Sequence, residues 1–294
     1  MEIYNISVKE SMQYLKDKLN KHFIELNMLK NGLDLEIKER PAGRLTFLSC
    51  ALNNGVLSPR SSVWESIRYH AANAVTDTII ENMEEELLKK ILRMEYGYFS
   101  REEQKRILEL ANHNLNQDME NDKERNLSRR NLVLFRVLEY LERNKYLNLE
   151  GFVRFWLKDY WQVLQEALQK AVDEYLVERE QKEFIRLLRY FLEIQEAKYS
   201  AVHIVEKENE KLSLMDEKWR PINYGYLAGM MTVRFQDQIN DDDCLLSALI
   251  TLAPQQVYLH RCNYHEIINT IQQVFQERIV ICLGCEKCQD KIKH

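Results

Sequence analysis

The sequence predicts an α+β protein that is predominantly α: a central helical block flanked by small β-containing N- and C-terminal parts, which read as contributors to one shared sheet. Three observations lead there. Gly and Pro are scarce, 8 and 4 in 294 residues, so little interrupts long helices. Between Ser61 and Ala197 apolar side chains recur at three- and four-residue steps, the period of a helix with one buried face. At both ends the pattern changes to short β-branched or alternating runs.

Residues 1–52 read as a β-α-β-β part. Ile3, Ile6 and Val8 suit a strand over 2–8. Met12, Leu15, Leu19, Phe23 and Leu26 place a helical stripe over 11–29, closed by Lys30, Asn31 and Gly32. Leu33, Leu35 and Ile37 alternate with Asp34, Glu36 and Lys38, the pattern of a strand with one wet face over 33–40. Pro41, Ala42 and Gly43 then read as a turn into a more buried partner strand over 44–52.

Asn53, Asn54, Gly55, Ser58 and Pro59 mark a linker, after which residues 61–197 form the helical block, opened by a Ser61 or Ser62 cap. Val63, Ile67, Ala71, Val75, Ile79, Met83, Leu87 and Ile91 continue one stripe. Ser100 and Glu103 have capping-box spacing, and Leu127, Leu134, Leu138 and Leu141 mark a helix over about 122–143. Phe152, Trp156, Tyr160, Leu164, Leu168, Val172 and Leu176 then line one long helix. The polar stretch Glu178–Lys182 reads as a break, with Phe184, Leu187, Leu188, Phe191 and Leu192 turned inward on a second helix.

Residues 198–294 form a C-terminal α/β part. A hairpin is expected from 201–205 and 211–215, and a helix over 237–253, begun by the carboxylates of Asp241, Asp242 and Asp243 and ended by Pro254. A strand over 256–260, a helix over 264–275 and a strand over 278–282 complete a β-α-β unit, which places its strands parallel.

A net charge of −5 provides no global attraction to nucleic acid. The charged first twenty residues do not resemble a signal peptide, and the longest apolar run, 244–253, is about half of what a bilayer requires. A cytoplasmic location with no membrane contact is expected. Six Cys in this length, three of them in the last thirteen residues, do not form a secreted disulfide framework.

Those last cysteines carry the sharpest chemical signal. Cys282, Cys285 and Cys288 have the spacing C-x-x-C-x-x-C directly after a predicted strand, so their thiolates can converge on zinc or on an iron-sulfur cluster. The bacterial ferredoxin continuation is missing, so a fourth ligand must come from elsewhere; Cys262, His265 and His294 are candidates. The plainer alternative is a reduced thiol-rich tail or a redox-active Cys pair. His22, His70, His113 and His203 stand alone and read as structural or exposed, while His260 has Cys262 and His265 nearby.

Between Arg125 and Tyr160, eight basic residues face four acidic ones, with aromatics interleaved, a pattern a nucleic-acid surface would share. No binding motif accompanies it, and a solvated helix face is the favoured reading over a nucleic-acid site. Gly225 and Gly229 suggest a bend rather than a phosphate loop, and no established catalytic signature occurs.

Two passages, LEGFVRFWLKDYW at 149–161 and EYLVEREQKEFIRLLRYFLEIQE at 174–196, resemble the YtxC-like family of spore-forming bacteria, as does RIVICLGCEKC at 278–288. The resemblance implies a sporulation protein of the cytosol without assigned activity, and it brings no catalytic residues to transfer. A non-enzyme acting by protein binding or self-association through the helical block is therefore expected. The alternatives are a metal- or redox-dependent protein using the cysteine tail and a nucleic-acid binder using the basic helices.

Overall fold

The structure, a computed structural model, describes residues 2–9, 12–29, 35–42, 45–52, 61–121, 123–206, 212–223, 241–260 and 266–287. It divides into two compact units, Met1–Leu176 and Val177–His294. The predominantly α, α+β class follows directly from the elements.

In the first unit, β1 (Glu2–Ser7), β2 (Leu35–Ala42), β3 (Leu45–Leu52) and β4 (Tyr146–Asn148) make one sheet in the order β2-β3-β1-β4. β1 pairs antiparallel with β3, Ile6 opposite Leu48, and parallel with β4, Ile6 opposite Leu147. The chain ends therefore do not share a sheet. The free side of β1 is taken by a strand from the middle of the chain, and the C-terminal strands close a sheet of their own. Pro41 and Ala42 belong to β2 rather than to a turn, opposite Thr46 and Leu45. β2 is an edge strand, where a residue without an N–H is tolerated. The Lys30–Gly32 cap and the 53–60 linker lie outside the described residues.

α1 (Met12–Leu29) packs on α2 (Ser62–Thr78), and Leu15, Leu19, Phe23 and Leu26 are buried as their spacing requires. Ser61 caps α2, its Oγ accepting from the Trp64 N–H at 3.3 Å. One π-helical turn, Ile79–Met83, joins α2 to α3 (Glu84–Glu95). α4 (Arg101–Asn121) opens with both capping-box bonds formed: the Ser100 N–H to Glu103 at 2.8 Å and the Glu103 N–H to Ser100 Oγ at 3.3 Å. α5 (Lys123–Arg143) follows.

The central passage departs from its predicted form. The break falls at Leu157, between α6 (Leu149–Trp156) and α7 (Lys158–Ile194), and α7 runs unbroken through Glu178–Lys182. Those five residues include no breaker, and Glu, Arg, Gln and Lys all favour helix, so polarity there marks a solvated turn rather than an end. At Leu157 the backbone leaves the helix, and the Trp161 indole N–H donates to the freed Val153 carbonyl at 2.9 Å. Phe152, Tyr160, Leu164, Leu168 and Val172 are buried, whereas Trp156 is not. Further along α7, Ile185 and Leu192 are buried, while Phe184, Leu187 and Phe191 are each at least 47% exposed. The inward stripe is thus shifted from the one expected.

One buried charge cluster stands in this unit. Arg129 lies 3.3 Å from Glu84, whose other oxygen accepts from the Tyr160 hydroxyl at 2.6 Å. Burial pushes the Glu84 carboxyl above its ordinary pKa, with Arg129 and Tyr160 pulling partly the other way.

The second unit holds β5 (Ala201–Glu206), β6 (Leu212–Asp216), α8 (Asp241–Leu252), β7 (Gln256–His260), α9 (Glu266–Phe275) and β8 (Ile279–Cys282). Its sheet runs β6-β5-β7-β8, with the 201–216 hairpin antiparallel and the β7-α9-β8 strands parallel, both as expected. Val202, Ile204, Val257 and Leu259 join α8 and α9 residues in a core separate from that of the first unit.

Candidate metal centre

Side chains alternate across a sheet, so the face opposite that core carries His203 on β5, Tyr258 and His260 on β7, and Cys282 on β8. Parallel pairing fixes the rest: His260 stands level with Cys282, and His203 with Tyr258. Just past β8 the chain bends at Gly284, whose φ of 125° is one that side-chain-bearing residues rarely adopt. The bend returns Cys285 Sγ to 3.7 Å from His260 Nδ1. One ligand atom from each of His260, Cys282 and Cys285 lies within 4.8 Å of the other two.

That spacing fits a metal. Bonds of about 2.3 Å to sulfur and 2.05 Å to nitrogen, at the tetrahedral angle, put the two ligand atoms roughly 3.6 Å apart. His260 is buried, Cys282 and Cys285 are partly exposed, and none of the described cysteines is in a disulfide. Cys50 is different: burial pushes its thiol up to about 12, so it stays protonated and inert.

Behind His260 stands His203, its Nδ1 3.0 Å from His260 Nε2. A metal bound at His260 Nδ1 would leave the proton on Nε2, to be donated to His203, the support that metal-bound histidines ordinarily have. Trp219 stacks on His203 with centroids 4.6 Å apart and Tyr258 stacks at 4.9 Å, which fixes the imidazole plane. Desolvation lowers the pKa of both histidines, and the neighbouring His203 lowers that of His260 further. Both shifts favour the neutral imidazole, the form that ligates a metal, although Asp216 pulls His203 partly the other way.

Of the residues singled out by the sequence, Cys282 and Cys285 meet here. Cys262, His265, Cys288 and His294 lie outside the described residues. His260 and His203 were not legible as members, because only strand register places them level with, or behind, the cysteines. Gly225 and Gly229 also fall outside the described residues, and Asp241 begins α8 as a helix start should.

The basic helices are occupied otherwise. Arg129 pairs with Glu84, Arg130 with Asp77 at 2.8 Å, and Arg136 with Asp159 at 2.6 Å and Glu139 at 3.3 Å. Carboxylates thus already engage several of the groups a phosphate backbone would need. Among the described residues no helix is long and apolar enough to cross a membrane.

Comparison with known proteins places these units in context. The chain is 27% identical over 216 residues to the "Uncharacterized protein YtxC" of Bacillus subtilis (strain 168), a span covering 68% of this chain and 72% of that relative. No solved structure matches it. A model of the YtxC-like family matches residues 69–280, which includes His203 and His260 and ends two positions before Cys282. With most of its length matched, the chain belongs to the YtxC-like family.

Proposed function

We propose that the second unit binds one zinc ion through His260, Cys282 and Cys285, and that the protein acts as a metal-dependent binding protein rather than by a known type of catalysis. The observation that carries this reading is the return of Cys285 to His260 across the Gly284 bend. An imidazole among the ligands favours a single zinc over an iron-sulfur cluster, which is ordinarily held by four thiolates. Cys262, His265 and Cys288 stand close in sequence and supply choices for a fourth ligand. The test is elemental analysis of anaerobically purified protein, with cobalt substituted for zinc. We expect one equivalent of metal with thiolate-to-cobalt charge-transfer absorption, lost in both Cys282→Ser and Cys285→Ser. Metal content unchanged by either substitution sinks the assignment.

A second reading, protein binding or self-association through α7, is supported by its exposed apolar side chains. Phe184, Leu187, Tyr190, Phe191 and Ile194 are all at least 47% exposed, more apolar surface than one solvated helix face needs. A sporulation-linked role rests on the family resemblance alone. Sedimentation of the full chain beside Phe184→Glu tests the self-association part; identical monomers would remove it.

A further inference from the structure

The first unit contains a second group of metal-ligating side chains, which the C-terminal site does not use. His22 and Glu25 lie one turn apart on α1 and so share a face, and α2 brings His70 against them. One ligand atom from each of His22, Glu25 and His70 lies within 4.8 Å of the others. His22 Nδ1 is 3.8 Å from Glu25 Oε2, and the two histidine rings are 5.9 Å apart between centroids. Two bonds of about 2.05 and 2.1 Å at the tetrahedral angle would bring such a nitrogen and oxygen to roughly 3.4 Å, so small side-chain rotations suffice.

The orientation of His22 sets this group apart from a chance cluster. Its Nε2 faces Asp77 Oδ2 at 3.1 Å, and Asp77 is held in turn by Arg130 at 2.8 Å. Arg130 also donates to Asn73 Oδ1 at 2.7 Å, so three helices fix the arrangement. A carboxylate on one imidazole nitrogen orients the ring and raises the basicity of the other nitrogen, the arrangement found behind metal-bound histidines. Here the other nitrogen is the one that faces Glu25. His22 and Asp77 are largely buried, at 15% and 14% exposure, while Glu25 is 49% exposed and leaves a route for an ion and its water.

We propose that His22, Glu25 and His70 form a thiolate-free site for a divalent transition-metal ion, zinc in preference to magnesium or calcium, with Asp77 as the positioning residue. Two imidazoles and one carboxylate suit zinc, and water completes the coordination. The site is independent of the C-terminal cysteines. The simpler reading is a metal-free group in which His22 stands between Glu25 and Asp77.

The test is titration of the full-length Cys282→Ser/Cys285→Ser chain with zinc and with cobalt. We expect one saturable equivalent of zinc, and a cobalt spectrum without thiolate charge-transfer absorption. His70→Gln should weaken binding at least 100-fold, and Asp77→Asn about 10- to 100-fold. A metal-free group predicts no zinc equivalent for either variant to lose. Absence of saturable zinc binding in the Cys282→Ser/Cys285→Ser chain overturns the proposal, as does binding unchanged by His70→Gln. Circular dichroism and melting of the apo variants show whether they fold; if His70→Gln does not, half-exposed Glu25→Gln supplies the same test. Loss of thiolate absorption in the parent chain with this equivalent retained would count against the C-terminal assignment alone.

Discussion

Single residues decide whether the C-terminal ligands converge. A Cβ on Gly284 would meet no atom within 4 Å, so glycine is needed there for its backbone angle and not for space. Gly284→Ala should therefore strain the bend by roughly 1–3 kcal/mol and weaken zinc about 10- to 100-fold, read by competition with a chromophoric chelator. His203→Ala should weaken it over a similar range, about 10- to 100-fold, by freeing the His260 ring. Glu84 allows a pH prediction with an unusual sign. Its carboxyl is raised in the folded chain, chiefly by burial, so folding favours its protonated form. The chain should gain stability relative to Glu84→Gln as pH falls from neutrality to about 4.3, the reverse of an ordinary ion-paired carboxylate. Thermal melts of the two proteins across that window check this; parallel curves would remove Glu84 as the cause.

At the scale of an element, caps and breaks were unequally legible. The Ser100 and Glu103 box is local, four residues of chain, and both of its bonds form as the spacing predicts. Ser100→Ala should cost about 1 kcal/mol, measured by urea denaturation, because it leaves a helix-end N–H without its side-chain acceptor. The end of α6 at Leu157 had no such signature, since the Trp161 indole that satisfies the Val153 carbonyl lies eight residues away. Along α7 the four-residue stripe drifts, and two alternative faces beyond Val177 are both apolar. Only the neighbouring sheet and helices select Ile185 and Leu192 over Phe184 and Phe191.

For the whole molecule, two hydrophobic cores with no residue in common imply that metal bound at the C-terminal site stabilises the second unit and leaves the first unchanged. A ligand at 1,000 times its Kd stabilises the form that binds it by about 4.1 kcal/mol. With the His22→Ala/His70→Ala chain, added zinc should slow amide exchange in 201–206, 256–260 and 279–282 while leaving 2–7 and 45–52 unchanged. Equal protection of both sheets would contradict a zinc site confined to the second unit.

Taken alone, the amino-acid order determined the mostly helical α+β class, the β-α-β-β opening, the parallel β7-α9-β8 unit and the Cys282 and Cys285 pair. These follow from periodicity, turn residues and short spacings, all of which act over a few residues. Tertiary structure alone decided that β4 pairs with β1, that the ends build two sheets rather than one, and that His260 and His203 stand beside the cysteines. Strand pairing joins His260 to Cys282, 22 positions on, and Ile6 to Leu147, 141 positions on, through backbone hydrogen bonds common to every residue, so no local pattern encodes which partners meet.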